Sequence, residues 1–286
     1  MVAWQGGLMS TPIETGTDDL LARLDGHVGV ITFHRPERRN ALSPAMYGGF
    51  ERALDAMRRD DSVRVVLVTG AGGAFCAGGD VKGMHESHTT GTPRAGQSSD
   101  PAERVEGLRR DQRRVSLALH EFRCPVVAAL PGAAAGAGLS IALAADIRLA
   151  AERALLVTAF ADVGASGDFG GSWFLTQLVG PAKAKELYFT SPRLTASQAL
   201  DLGMVNQVLP DEGFAAAALD WCHQLAARAP LALTRMKDNI NRAITVGLAD
   251  ALDAEAPAML ASMATADHRE AAAAFVEKRR PAFEGR

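Results

Sequence analysis

Residues 65–70 read Val-Val-Leu-Val-Thr-Gly, and no stretch constrains the fold of this chain more. Four aliphatic residues without polar alternation predict a strand buried on both faces. Glycines follow at 70, 72, 73, 78 and 79, and Asp80 closes the run. Glycine lets a backbone take positive φ or come close to a ligand. The chain therefore delivers a loop almost free of side chains to the carboxyl end of a buried strand. Open α/β sheets bind their ligands there. Such a loop can offer bare N–H groups to an anion. The same residues also suit a plain strand-to-helix turn.

Neither standard nucleotide loop fits. Gly70-Ala71-Gly72-Gly73-Ala74-Phe75 ends in Phe and Gly136-Ala137-Gly138-Leu139-Ser140-Ile141 in Ile, where a dinucleotide fingerprint needs Gly or Ala. No Gly-Lys pair exists for a P-loop. A net charge of −3 provides no basic field for nucleic acid. No apolar run reaches the ~18 residues of a membrane span. Cys76, Cys124 and Cys222 are widely spaced, with no C-x-x-C, and read as buried reduced thiols of a cytoplasmic protein. His85 and His88 flank Glu86 in a polar stretch, and no metal site is expected there. Met1–Thr17 lacks the basic and apolar regions of a secretory signal and reads as a flexible tail.

Asp25-Gly26 between Leu20–Leu24 and Val28–Phe33 signals a hairpin. Ser43-Pro44 starts a helix running to about Arg59, with Met46, Phe50, Leu54 and Met57 on one face. Residues 85–104 lack periodicity and read as a long mobile loop, either a lid or a solvated connector. An Arg-rich helix follows, roughly Ala102–Phe122.

Val126–Leu130 is a second buried strand, ending in Pro131-Gly132-Ala133-Ala134-Ala135-Gly136-Ala137-Gly138 and an apolar helix over Leu139–Ala145. The unit of buried strand, Gly/Ala loop and short helix thus occurs twice. Two such loops facing one another can give two N–H donors to one oxygen. Close helix packing also calls for Gly and Ala. A further glycine-rich turn, 160–173, carries Asp162 and Asp168. Helices are expected at about Trp173–Val179 and Ala182–Thr190, a helix cap at Thr195, a strand at Val205–Leu209, and alanine-rich helices from Asp211 to about Arg279.

Together these residues resemble the crotonase (enoyl-CoA hydratase/isomerase) superfamily from about Asp19 to Arg286. Four segments carry the resemblance: Arg35 to Leu42, Ala74 to Asp80, Gly132 to Asp146, and Phe275 to Pro281. It implies an α/β fold, a spiral of ββα units with a C-terminal helical trimerisation domain. Three regions follow: the tail 1–17, a spiral core 18–210 including the 85–104 loop, and a helical oligomerisation domain 211–286. The implied substrate is an acyl-CoA thioester, with coenzyme A as part of the substrate and no prosthetic group. The implied assembly is a homo-trimer or hexamer. The amides of Gly79 and Ala137 would form an oxyanion hole. Arg38, Ala77, Gly79, Asp80 and Val81 would contact CoA, with Lys278 of a neighbouring subunit near the phosphates.

Hydratases of this family use two glutamates, and register sets Ser140 and Phe160 at those positions. Asp168 matches the acid/base position of several isomerases, including certain Δ3,Δ2-enoyl-CoA isomerases and the epoxyphenylacetyl-CoA isomerase. One carboxylate can remove a proton from one carbon and return it to another. An aspartate at this position is a nucleophile in chlorobenzoyl-CoA dehalogenases, and as a bland reading it caps a helix. Asp162 reads as a turn residue. No G-x-S-x-G elbow exists for serine chemistry. The expected activity is enoyl-CoA isomerisation. A hydratase with altered acid/base residues and a catalytically silent acyl-CoA binder stand as alternatives.

Overall fold

The computed structural model describes residues 10–90 and 98–286. The first strands are β1 (Ser10–Ile13), β2 (Leu20–Asp25), β3 (Val28–Phe33) and β4 (Val65–Gly70), with helix α1 (Pro44–Arg59) between β3 and β4. Next come α2 (Val81–Thr90), α3 (Pro101–Gln112), a π-helical turn over Arg113–Leu117, and α4 (Ala118–His120). The second strand–loop–helix unit is β5 (Val126–Leu130), β6 (Ala134–Ala135) and α5 (Ala137–Leu143). It leads to β7 (Ile147–Ala151), β8 (Leu155–Val157), α6 (Gly171–Thr190), β9 (Leu194–Thr195), α7 (Ala196–Asp201) and β10 (Gln207–Leu209). Helices α8 (Phe214–Ala226), α9 (Pro230–Ala243), α10 (Leu248–Met263) and α11 (Ala266–Glu277) complete the chain.

A seven-stranded sheet runs β1-β2-β3-β4-β5-β7-β10, antiparallel up to β3 and parallel from there on. A small sheet, β6-β8-β9, lies beside it. β4 is buried along its whole length because it sits between β3 and β5 with both faces covered. Val66 and Val68 point into one core with Phe33, Phe50 and Met57. Val65 and Leu67 point into the other with Phe214, Ala218 and Cys222 of α8. An unalternating aliphatic run is what two covered faces require.

Three expected boundaries move. Residues 10–17 are not a loose tail, because β1 pairs with β2, Ser10 opposite Asp25. The Thr15 hydroxyl donates to the Leu20 carbonyl at 2.6 Å, and the Arg52 Nε–H donates to the Thr15 carbonyl. These are backbone and hydroxyl links, which leave no hydrophobic pattern to read. Residues 1–9 lie outside the described residues.

The stretch 85–104 is not one loop. α2 reaches Thr90 and α3 begins at Pro101. Asp80 caps α2 by accepting the Gly83 N–H at 3.1 Å, and Asp100 caps α3 by accepting the Ala102 N–H at 2.8 Å. Caps hold polar helices that periodicity cannot reveal. Residues 91–97, and the side chains of Glu86 and His88, lie outside the described part of the chain.

The boundary at 210 also moves, since α8 packs its Phe214–Ala218–Cys222 stripe on the main sheet. The outer helices begin with α9. A buried ion pair fastens α9 to the core: Lys237 Nζ lies 2.8 Å from Asp146 Oδ2, and Asp146 also accepts the Val126 N–H at 2.7 Å. Among the described residues, no helix is long and apolar enough to cross a membrane.

Candidate active site

The first glycine loop is held by Asn40, a fully buried side chain at a left-handed backbone position, φ 59°. Its Nδ2 donates to the carbonyls of Ala71 (2.9 Å), Ala74 (2.8 Å) and Phe75 (3.2 Å), and its Oδ1 accepts the Arg35 N–H (2.9 Å). One amide thus replaces a strand partner for a loop that has none. The second loop is stitched to the first. Ala135 N–H donates to the Cys76 carbonyl at 3.0 Å, and Phe75 and Cys76 N–H donate to the Ala133 carbonyl. Gly78, at φ +83°, lies so close that a Cβ there would stand 2.6 Å from the Ala135 carbonyl oxygen and 3.2 Å from the Ala137 nitrogen. Only glycine permits that approach. Leu42 N–H donates to the Gly78 carbonyl, and Val81 N–H to that of Gly79.

Within the described chain, the amides of Gly79 and Ala137 have no acceptor of their own, Ala137 being the first residue of α5. Two adjoining loops thus present two unengaged donors. The Cys76 thiol beneath them accepts the Gly78 N–H at 3.4 Å, and burial pushes it up to about 12. Cys124 and Cys222 are buried and pushed up in the same way. Thiols this far from ionisation are packing residues.

Asp168 comes from the third turn. Gly167 (φ +105°) and Phe169 (φ 50°) bend the chain on either side of it, and the Gly171 N–H closes the turn on the Asp168 carbonyl at 3.1 Å. Gln112, at the end of α3, accepts the Phe169 N–H at 3.1 Å and ties down the far side. The Asp168 Oδ1 is buried without a hydrogen-bond partner among the described residues. Burial raises this carboxyl to about 6. Phe169 is buried beside it and stacks on Tyr47 at 5.7 Å. Asp162 lies exposed on a separate 3-10 turn, Ala161–Val163.

Ser140 and Tyr188 join the two halves of the site. Ser140 is buried on α5, one helical turn beyond Ala137. Its hydroxyl bonds to the Tyr188 phenol, which also feels the Asp168 charge. Burial first, and that charge second, push the phenol up to about 12. A Cβ on Gly171 would be driven into the Ser140 Oγ and would stand 2.6 Å from the Tyr188 oxygen. Phe160 is buried and stacks on Tyr188 at 5.7 Å. The sequence carried no signal for Tyr188 or Gln112, which reach the turn from helices 20 and 56 residues away in the chain (188 − 168 and 168 − 112).

The other expected contact residues are spread around the loops. Arg38 is exposed on the turn Pro36–Arg38, Ala77 and Gly79 are half-buried, and Val81 is exposed at the start of α2. Asp80 is engaged in capping. Lys278 is exposed at the left-handed end of α11. No group of three metal-ligating side chains occurs among the described residues.

Beside the Asp168 turn is a cavity of about 280 Å³, lined by Gln112, Ser116 and His120 on one side and Phe169, Trp173 and Phe174 on the other. The His120 ring meets Trp173 and Phe174 edge-on at 5.5 and 5.4 Å, and burial lowers its proton affinity. The Ser116 Oγ is buried with no partner among the described protein atoms. An unsatisfied buried hydroxyl typically costs about 1–3 kcal/mol.

The sequence model of the enoyl-CoA hydratase/isomerase family matches residues 23–286. The chain is 35% identical to the 1,2-epoxyphenylacetyl-CoA isomerase of Escherichia coli, covering 93% of this chain and 98% of that one. It is 31% identical to the short-chain-enoyl-CoA hydratase of Clostridium acetobutylicum, covering 92% and 96%. The structure of an enoyl-CoA hydratase from Polaromonas sp. JS666 superposes with a TM-score of 0.84 at 34% identity, over 93% of this chain and 99% of that one. The chain belongs to the crotonase, or enoyl-CoA hydratase/isomerase, family. Its fold is crotonase-like, and the chemistry of its family is performed on CoA thioesters.

Proposed function

We propose that this protein is an enoyl-CoA isomerase working through a thioester enolate, with Asp168 as its single acid/base. The observation that carries this reading is a desolvated carboxylate with one oxygen unpartnered, adjoining a helix whose first amide is unengaged, both among the described residues. The thioester oxygen accepts the N–H groups of Gly79 and Ala137. Each such donor is typically worth about 2.7–4 kcal/mol of barrier. With a 3-enoyl-CoA, Asp168 takes a proton from C2, and charge spreads from the thioester oxygen to C4. The same carboxyl then returns the proton to C4, leaving a 2-enoyl-CoA. A carboxyl poised near 6 suits both directions of transfer. Ser140 and Phe160 supply no second carboxylate, so a two-glutamate addition of water is disfavoured.

Coenzyme A enters as part of the substrate. Arg38, Ala77, Gly79, Asp80 and Val81 would border its adenine and pantetheine, with Lys278 of a neighbouring subunit at the phosphates. Leu248, Leu252, Met259 and Leu260 on α10, and Phe275 and Val276 on α11, expose a large apolar surface, and α10 buries none of its residues. Such a face supports assembly through α9–α11 into trimers or paired trimers.

The test is a set of 3-enoyl- and 2-enoyl-CoA esters incubated in deuterium oxide, with product mass and double-bond position read out. We expect double-bond migration in which the hydrogen lost from C2 is largely retained at C4, with little deuterium incorporated there. Hydration of crotonyl-CoA should be about 10²–10⁴-fold below that of a two-glutamate hydratase. Ordinary hydratase turnover would overturn the mechanism. Tight binding with no turnover of any ester would favour a silent acyl-CoA binder.

A further inference from the structure

Each of the two donor amides shares a peptide bond with a carbonyl, and both carbonyls are held from behind. The Gly78 oxygen, on the peptide that carries the Gly79 N–H, accepts the Leu42 N–H at 2.8 Å. The Gly136 oxygen, on the peptide that carries the Ala137 N–H, accepts twice from one residue. It takes the Ser140 N–H at 3.0 Å and the Ser140 hydroxyl at 3.3 Å. A carbonyl that accepts a hydrogen bond draws charge from its own peptide and strengthens the N–H as a donor, as linked hydrogen bonds polarise one another. A serine bonding back to the carbonyl four residues earlier is ordinary in a helix. Here the carbonyl belongs to a donor peptide, and a second side chain is bonded to the serine. A hydroxyl has one proton to give and two lone pairs to receive with. The Ser140 proton goes to Gly136, so its bond with Tyr188 is donated by the phenol. The phenol keeps its proton at neutral pH, because burial and the Asp168 charge push it up to about 12. Its place is fixed on three sides. The ring stacks on Phe160, a Cβ on Gly167 would stand 2.9 Å from its Cε1, and a Cβ on Gly171 2.6 Å from its oxygen. Ser140 is only 2% exposed, so little water competes for these bonds.

Resting on the reading of the Gly79 and Ala137 amides as an oxyanion hole, we propose that Ser140 and Tyr188 are positioning residues for that hole. The phenol donates to the Ser140 hydroxyl, the hydroxyl donates to the Gly136 carbonyl, and the Gly136–Ala137 peptide passes the polarisation on to the thioester oxygen. Both side chains act through the peptide, without contact with the substrate. The relay matters most when that oxygen carries the enolate charge, because a hydrogen bond to an ionised acceptor is roughly twice as strong as one between neutral groups. It therefore acts on kcat more than on substrate binding. At 3.3 Å the Ser140 link is long, and catalytic hydrogen bonds of this kind tighten when the reacting group arrives.

The experiment compares the full-length protein with Tyr188→Phe, Ser140→Ala and the double variant. Tyr188→Phe removes one oxygen and keeps the ring against Phe160. The spectroscopic probe is hexanoyl-CoA isotopically labelled at the thioester carbonyl, a saturated ester that cannot isomerise. The kinetic probe is 3-hexenoyl-CoA. In the wild type, the bound carbonyl stretch should lie below its frequency in water. Each single variant should lose part of that shift and about 10-fold in kcat, with KM within about threefold, since a whole oxyanion donor is worth about 10²–10³-fold. The double variant should be no slower than Ser140→Ala alone, because the phenol acts through the serine. Tyr188→Phe should leave the apparent pKa of kcat/KM, near 6, where it is, which separates the relay from a direct action of the phenol on Asp168. Thr190→Ala is the control: its exposed hydroxyl makes the same kind of bond, 2.7 Å to the Glu186 carbonyl, and its loss should change neither readout. Thermal unfolding checks that each variant is folded, and should Ser140→Ala fail to fold, the carbonyl frequency and kcat of Tyr188→Phe decide. Losses that add in the double variant, a moved apparent pKa with an unmoved carbonyl frequency, or a kcat untouched by Tyr188→Phe would overturn the relay and leave the oxyanion hole standing. A wild-type carbonyl frequency equal to that in water would remove the oxyanion hole, and the relay with it.

Discussion

Replacing Asp168 by Asn should make the protein slower and, at neutral to alkaline pH, more stable. The Asp168 carboxyl is raised by burial from 3.8 to about 6. The folded protein therefore holds that proton more tightly than the unfolded chain does. The resulting stabilisation is complete below 3.8 and is lost as pH rises through about 6. Roughly two pH units correspond to about 3 kcal/mol. Above pH 7 the native protein keeps a desolvated anion in place at that cost, and asparagine fills nearly the same space uncharged. Asp168→Asn should gain up to about 3 kcal/mol over the wild type at pH 8, and roughly half of that at pH 5. Urea unfolding at both pH values, at one fixed protein concentration, measures the gain. The kinetic arm uses a 3-enoyl-CoA. Wild-type kcat/KM should rise with pH around an apparent pKa near 6, and the variant should lose at least about 10²-fold. A variant less stable than wild type at pH 8, a gain independent of pH, or isomerisation surviving the substitution would each refute the reasoning.

Asn40→Ala removes three donated bonds and one accepted bond from beneath the first glycine loop, and should cost about 3 kcal/mol in urea unfolding; a loss below about 1 kcal/mol would mean the loop holds itself. Gly171→Ala drives a methyl group into Ser140 and Tyr188, and by shifting the Asp168 turn should lower kcat by about 10²-fold in a protein that still folds by circular dichroism. Leu260→Asp, on the exposed face of α10, should reduce the sedimentation coefficient to that of a single subunit; an unchanged assembly would exclude that face as the interface.

The parts of the site that the sequence disclosed are those built from backbone. Gly78, Gly79 and the 132–138 stretch stand out as side-chain-free loops after buried strands, but tight turns and close helix packing call for the same residues, and the family resemblance is what singled out their amides. Asp168 stood out because, in the turn Gly167-Asp168-Phe169-Gly170, it matches the acid/base position of related isomerases. Side chains that reach the site across the fold were silent. Tyr188 and Gln112 lie on helices whose pattern is explained by packing alone, and nothing local marks them as neighbours of Asp168. β1 and α2 escaped notice for a related reason. Both are held by backbone pairing and caps, and hydrophobic periodicity is blind to those. The boundary at residue 210 shifted because an alanine-rich helix covering a sheet, such as α8, has the same composition as one covering a neighbour.

The Lys237–Asp146 pair ties together events that would otherwise be independent. Asp146 also fastens the Val126 amide at the start of β5, the strand that leads into the loop bearing Ala137. Lys237 sits on α9, among the helices whose outer faces are left uncovered in a single subunit. Strain on α9 can reach the amide loop through this pair, beside the bond that Asn241 donates to the His120 carbonyl. If the assembly through α9–α11 proposed above holds, dilution would act as an inhibitor: specific activity should fall with concentration before the secondary structure changes.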